Sequence, residues 1–140
     1  MVLAAQNRLP EATRYYTEAI RLPPRNPQAH NNLGNALSRQ GKTSEAVQQY
    51  LEALRLKPTF AQAHNNLGAT LANQGRVDEA IRHYTVALWL HPRYVEARFN
   101  LGVTLARQGR FIEARQQMSD VLRLDPNHAA ARQFLERGVP

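Results

Sequence analysis

The feature that most constrains this fold is a seven-residue string that occurs twice, 34 residues apart. Gln28–Gly34 and Gln62–Gly68 both read QAHNNLG, and a divergent copy, EARFNLG, occupies Glu96–Gly102. An internal repeat of this length predicts stacked helical units that each contact only their neighbours, rather than one central core. The 140 residues are therefore interpreted as an array of repeats.

Each repeat contains two segments with the apolar spacing of an amphipathic helix, here called helix A and helix B. In the first full repeat they run from about Gln28 to Gln40 and from about Ser44 to Leu56. A glycine follows each helix A, where it can adopt the left-handed conformation that ends a helix. These glycines are Gly41, Gly75 and Gly109. A proline ends each helix B, since the residue before proline resists the α conformation. These prolines are Pro58, Pro92 and Pro126.

The register divides the chain into one array with five parts. They are a partial repeat at 1–26, whole repeats at 27–60, 61–94 and 95–128, and a final helix of a partial repeat or cap at 129–140. Asn26-Pro27 reads as an N-cap followed by proline at the first helical position. Extending the register backward places Met1 inside a helix A and Pro10 in the first turn of a helix B. We therefore expect that the sequence is a piece of a longer array.

This pattern resembles the tetratricopeptide repeat (TPR) over essentially the whole chain. In the middle repeat the residues that carry the resemblance are Leu67, Gly68, Leu71, Gly75, Ala80, Tyr84, Ala87 and Pro92. The resemblance implies an all-α, right-handed solenoid of antiparallel helix pairs whose A helices line a concave groove. It also implies a protein-interaction scaffold without catalysis. The sequence departs from the family at the usual tryptophan position, which holds His30, His64 and Arg98, interpreted as surface changes.

Carried over position by position, the resemblance places ten residues in the groove. They are Asn31, Asn32, Asn35 and Arg39, then Asn65, Asn66 and Asn73, then Phe99, Asn100 and Arg107. Asn32, Asn66 and Asn100 form a ladder with one rung per repeat. A carboxamide both donates and accepts hydrogen bonds, so such a ladder could hold an extended peptide by its backbone. The asparagine-lined repeats of protein O-linked N-acetylglucosamine transferases are similar.

Other chemistries are disfavoured by the residues present. Cysteine is absent, which excludes disulfides and thiolate sites, and no two histidines have the i, i+4 spacing of a helical metal site. Gly41-Lys42-Thr43 lacks the upstream glycine and the strand of a phosphate loop. We predict no metal, no cofactor and no enzymatic activity. Some members of the family hold the acidic carboxy-terminus of a partner with a clamp of Lys, Asn, Asn, Lys and Arg. This sequence matches that clamp only at Asn35 and Asn66.

The charge of +7 leaves alternatives open. Arg39 and Arg107 keep the predicted groove basic, so an acidic peptide or a partner helix is a compatible ligand. Self-association through the solenoid ends is a second hypothesis, because Phe134 and Leu135 lie on a final helix without a partner. Weak nucleic-acid binding is a third, but the arginines are dispersed along the chain. The sequence contains no targeting or membrane segment and indicates no compartment.

Overall fold

The computed structural model describes residues 9–21 and 26–138, and these form eight α-helices. The helices are α1 (Leu9–Arg21), α2 (Pro27–Arg39), α3 (Thr43–Leu56), α4 (Ala61–Asn73), α5 (Val77–Leu90), α6 (Val95–Arg107), α7 (Phe111–Leu124) and α8 (Ala129–Arg137). The predicted all-α repeat fold is confirmed: α2, α4 and α6 are A helices, and α3, α5 and α7 are B helices. The predicted position of Met1 inside a helix lies outside the described residues.

The helix boundaries form where the sequence places its capping residues. The Asn26 side chain accepts a hydrogen bond of 3.1 Å from the Ala29 backbone N–H. Gly41, Gly75 and Gly109 have φ angles of 77°, 79° and 78°, the left-handed region that glycine enters without steric cost. The A helices α2, α4 and α6 therefore end in the same tight turn, in which the residue after the glycine donates to the same carbonyl of each helix.

The interior of each repeat is built from small residues facing one large side chain. In the second repeat, Tyr84 is only 2% exposed and its ring lies against Gly68. A Cβ atom added to Gly68 would lie 2.7 Å from Tyr84 Cε1 and 3.2 Å from the Ala80 carbonyl oxygen. In the third repeat Met118 replaces the tyrosine, and a Cβ atom added to Gly102 would lie 2.8 Å from Met118 Cε. Glycine on helix A thus sets how closely helix B approaches.

The position where the family usually has tryptophan is an internal hydrogen-bonding position here, not the surface position expected from the sequence. His64 is 8% exposed, and its Nε2 lies 2.9 Å from the Pro58 carbonyl oxygen. One repeat later Arg98 Nη2 donates to the Pro92 carbonyl oxygen over the same distance, 2.9 Å. This side chain ties the proline turn that ends one repeat to the helix that begins the next.

The same position also contacts helix B of its own repeat. His30 Nδ1 lies 2.8 Å from Gln49 Oε1, and Arg98 Nη1 donates to Gln117 Oε1 at 3.0 Å. A polar residue can therefore replace tryptophan because it has a fixed partner on helix B, and in the second and third repeats a second partner in the preceding proline turn. No helix in residues 9–21 and 26–138 combines the length and the apolar character that crossing a membrane would require.

Candidate functional site

The A helices form a continuous surface in which α2 contacts α4 and α4 contacts α6. Two adjoining cavities open on this surface. The first, of about 280 Å³, is lined by Asn35, Ser38, Arg39, Tyr50, Asn66, Ala69, Thr70 and Asn73. The second, of about 110 Å³, is lined by Ala69, Ala72, Asn73, Tyr84, Asn100, Val103, Thr104 and Arg107. Because Asn73 and Ala69 line both, the cavities form one groove, called the A-helix groove below.

The structure brings together six of the ten residues that the sequence placed in the groove. They are Asn35, Arg39, Asn66, Asn73, Asn100 and Arg107. Within this set Arg39, Asn73 and Arg107 are exposed, and each follows the previous one by a whole repeat. Their side chains stand at the C-terminal ends of α2, α4 and α6, so a ligand crossing the three helices could reach all of them.

Two tyrosines from the B helices reach the groove, and sequence reasoning did not place them there. The Tyr50 hydroxyl donates to Asn35 Oδ1 at 2.7 Å and lines the first cavity. Burial raises the pKa of Tyr50 and of Tyr84 to about 12 in each case, so both hydroxyls are neutral at physiological pH. The recurrence of tyrosine at the same position of successive B helices was the available signal.

The A-helix groove is lined by two arginines, Arg39 and Arg107. Arg39 acts electrostatically on Tyr50, and Arg107 acts on Tyr84, each opposing the rise in the tyrosine pKa. No residue that lines either of the two cavities is acidic. A guanidinium group can form two parallel, charge-assisted hydrogen bonds with one carboxylate.

Asn31 and Asn65 lie elsewhere than the sequence predicted. Each is only 1% exposed, because it is buried between repeats rather than facing the groove. Asn66 Nδ2 donates to Asn31 Oδ1 at 3.1 Å, and Asn100 Nδ2 donates to Asn65 Oδ1 at 3.1 Å. These amide pairs join adjacent A helices. A buried carboxamide needs such a partner, and it was the next repeat that supplied it.

A signal for these pairs exists in the sequence at a spacing of 35 residues. Two successive pairs of positions hold amides, Asn31 with Asn66 and Asn65 with Asn100. The third pair, 34 residues after the second, holds Phe99 and Phe134 instead. Both members change from polar to apolar together, as expected for residues that share one buried interface. Phe99 packs against the core and lies 4.8 Å from the His128 ring, centroid to centroid, and it lines neither cavity.

The amide pairs predict that Asn66→Ala lowers stability. A solvated Asn66 would not have this effect. Removing the Asn66 amide leaves the buried Asn31 Oδ1 without this donor, so we expect the free energy of unfolding to fall by about 1–3 kcal/mol. Asn32→Ala is the matched control, because among the described residues the Asn32 side chain bonds to Gln28 of its own helix, at 2.9 Å, and does not join two repeats. Its effect should stay within about 0.5 kcal/mol in urea unfolding. Equal effects of the two changes would contradict the amide-pair interpretation.

Two residues proposed for self-association occupy different environments. Phe134 is 0% exposed and packs inside the array, so it presents no apolar surface. Leu135 is half-buried beside it. Four of the five exposed residues of α8 are polar, namely Arg132, Gln133, Glu136 and Arg137, and the fifth is Ala129. The exposed surface of α8 is therefore mostly polar.

Several arginines outside the groove are engaged within the chain. Arg55 pairs with Glu52, Arg76 pairs with Glu79 at 2.7 Å, and Arg110 pairs with Glu113 at 2.7 Å. These bonds raise the pKa of each arginine and lower the pKa of Glu79 and Glu113. Such exposed pairs contribute little to stability, but they reduce the free positive charge on the B-helix side.

Comparison with protein-family profiles decides the assignment. A profile described as "TPR repeat" matches residues 2–41 and 34–75, and one described as "Tetratricopeptide repeat" matches residues 66–129. The chain belongs to the tetratricopeptide-repeat family. Repeats of this family mediate protein–protein interactions and are typically non-catalytic scaffolds. A search of curated protein sequences finds no significant match.

Solved structures of TPR proteins share this fold at low sequence identity. A crystal structure of MamA superposes with a TM-score of 0.88 at 21% identity, covering 95% of this chain and 78% of MamA. The first TPR of Spaghetti (RPAP3), bound to the HSP90 peptide SRMEEVD, gives 0.77 at 22% identity, covering 79% of this chain and 88% of that chain. The Arabidopsis OM64 TPR domain gives 0.76 at 23% identity, with coverages of 79% and 92%.

Proposed function

We propose that this TPR array is a scaffold that binds an extended, acidic peptide segment of a partner protein in the A-helix groove. The observation that carries the proposal is the pair of adjoining cavities with an arginine in each and no acidic lining residue. Arg39 and Arg107 are two repeats apart and would take carboxylates at separate points of the peptide. The amides of Asn66, Asn73 and Asn100 would pair with its backbone.

A solved relative offers a precedent for the ligand class. The Spaghetti TPR, which has the same fold, is bound to a peptide whose sequence, SRMEEVD, contains three carboxylate side chains. The residues of the family's carboxylate clamp are mostly missing here, with Glu96 and Asn100 in places where that clamp is basic. We therefore expect acidic side chains along the peptide to be recognised, rather than a carboxy-terminus held by that clamp.

The test is binding to an array of immobilised heptapeptides in which acidic, neutral and basic sequences are equally represented, with SRMEEVD among the acidic ones. The wild-type chain should retain acidic peptides preferentially. Arg39→Glu combined with Arg107→Glu should weaken that binding by at least about tenfold, since each lost charged hydrogen bond contributes about 1.5–3 kcal/mol. Anisotropy titrations of the best peptides would measure the change.

The matched control reverses the same number of charges away from the groove. Arg82→Glu combined with Arg93→Glu changes the net charge equally at two exposed positions that line neither cavity of the groove. Its effect on affinity should be small and should disappear at high salt, since it acts only through long-range attraction. Equal losses in both double variants, or no preference for acidic peptides, would overturn the proposal.

A further inference from the structure

One contact between helices A and B differs in chemistry from its counterparts in the other repeats. In the first repeat a histidine meets a glutamine, His30 and Gln49, and in the third an arginine meets a glutamine, Arg98 and Gln117. In the second repeat both partners are histidines. His64 Nδ1 lies 3.1 Å from His83 Nδ1, with ring planes 26° apart. In the second repeat two imidazole nitrogens thus face each other, whereas in the first and third repeats a nitrogen of His30 or Arg98 faces the amide oxygen of a glutamine.

The proton positions on His64 follow from its second contact. Its Nε2 lies 2.9 Å from the Pro58 carbonyl oxygen, which can only accept, so Nε2 carries the proton. The neutral ring then has its lone pair on Nδ1, directed at His83. A histidine whose remote N–H is held by a backbone carbonyl is the usual arrangement of a metal ligand, because that bond fixes the tautomer and orients the ring.

We propose that His64 and His83 form a binding site for one divalent transition-metal ion of the zinc type, ligated by the two Nδ1 atoms. Two nitrogens at Zn–N distances of about 2.0–2.1 Å in tetrahedral geometry lie about 3.3 Å apart. The observed 3.1 Å separation is therefore close to that of two ligands of one ion. No main-chain rearrangement is required to bring the two nitrogens to one metal.

His83 can supply its lone pair without a net change in protonation. In the metal-free pair His83 Nδ1–H donates to His64 Nδ1; on binding, the proton leaves Nδ1 and another is taken up at Nε2. The His83 side chain is half-buried, so the ring can turn toward the ion while His64 stays fixed by Pro58. The described residues contain no group of three or more metal-ligating side chains, so water completes the coordination.

Charged groups of both signs lie near His83. Glu79 lies one turn before His83 on α5, and Arg82 is its neighbour in the chain; both act electrostatically on the ring, with opposite sign. Glu79 is paired with Arg76 at 2.7 Å. The other three histidines have partners that are not histidine: Gln49 for His30, Tyr94 for His91, and the Ala131 N–H for His128.

The test is a calorimetric titration of the full chain with Zn²⁺, in which we expect saturable binding of one ion. His83→Gln recreates the His–Gln pair of the first repeat, so it should fold normally, and it should raise the dissociation constant at least tenfold. His91→Gln, which removes an exposed histidine outside the pair, is the matched control and should leave the dissociation constant unchanged. Circular dichroism of each variant checks the fold.

Imidazole ¹⁵N chemical shifts identify the ligands directly. We expect Zn²⁺ to shift Nδ1 of His64 and of His83, with Nε2 of both remaining protonated. Equal affinities of the wild-type chain and His83→Gln would show adventitious binding at exposed histidines and would overturn the proposal. Absence of binding by the wild-type chain, or shifts confined to His91 and His128, would overturn it as well.

Discussion

Tyr84→Ala is expected to lower the free energy of unfolding by about 3–5 kcal/mol, the range for removing a large aromatic side chain from a core. The ring is 2% exposed and lies against Gly68 on helix A of its own repeat, while its hydroxyl reaches the groove. Its removal would leave a cavity that the flanking glycine and Ala80 are too small to fill. Urea unfolding followed by circular dichroism would measure the loss.

Tyr84→Phe is the control for this prediction, because it keeps the ring and removes only the hydroxyl. The Tyr84 hydroxyl lies at the groove, so we expect a loss of no more than about 1 kcal/mol, the value of an ordinary hydrogen bond. If Tyr84→Phe cost as much as Tyr84→Ala, the hydroxyl and not the ring would be the main contributor to stability. The packing account of the repeat would then be wrong.

Gly68→Ala is expected to destabilise the array by about 1–2 kcal/mol, although alanine is the better helix former. Alanine gains about 1 kcal/mol over glycine inside a helix, whereas overpacking a tight core costs about 1–3 kcal/mol. The added Cβ would lie 2.7 Å from Tyr84 Cε1 and 3.2 Å from the Ala80 carbonyl oxygen. Neither a buried ring nor helix backbone can move aside easily, so the steric cost exceeds the helical gain.

Gly102→Ala provides a matched control at the same repeat position. There the added Cβ would meet Met118 Cε at 2.8 Å, the flexible end of a thioether side chain. The methionine can turn away, so we expect a change within about 0.5 kcal/mol or a slight stabilisation. Equal losses for Gly68→Ala and Gly102→Ala would show that the facing side chain does not determine the cost.

The double variant Gly68→Ala with Tyr84→Ala isolates the contact between the two positions. Once the ring is gone, the added methyl group has space, and the helical gain of alanine should dominate. We therefore expect Gly68→Ala to stabilise the Tyr84→Ala background, a coupling energy of about 1–3 kcal/mol for residues in contact. The same loss in both backgrounds would falsify the assignment of strain to this pair.

The A-helix groove shows how far a family resemblance, carried over by repeat register, can predict a site. The resemblance placed Arg39, Asn73 and Arg107 on the inner surface, because a solenoid repeats the same face every 34 residues. It failed for Asn31 and Asn65, since adjacent residues on a helix differ by about 100° and face different neighbours. Asparagine is polar enough to suggest solvent, and only the packing of the next repeat shows that each side chain is buried and that its amide oxygen is paired.

The sequence by itself determined the architecture, because the conditions for each helix pair are local. Spacing of apolar residues, glycine after helix A and proline after helix B each act within one or two turns, and their recurrence predicts the solenoid. Tertiary structure alone decided which polar residues face the groove and which join repeats. It also brought His64 to His83, which are 19 residues apart and on different helices. The chemistry of such contacts depends on the angle and distance between packed helices, and no local pattern encodes these.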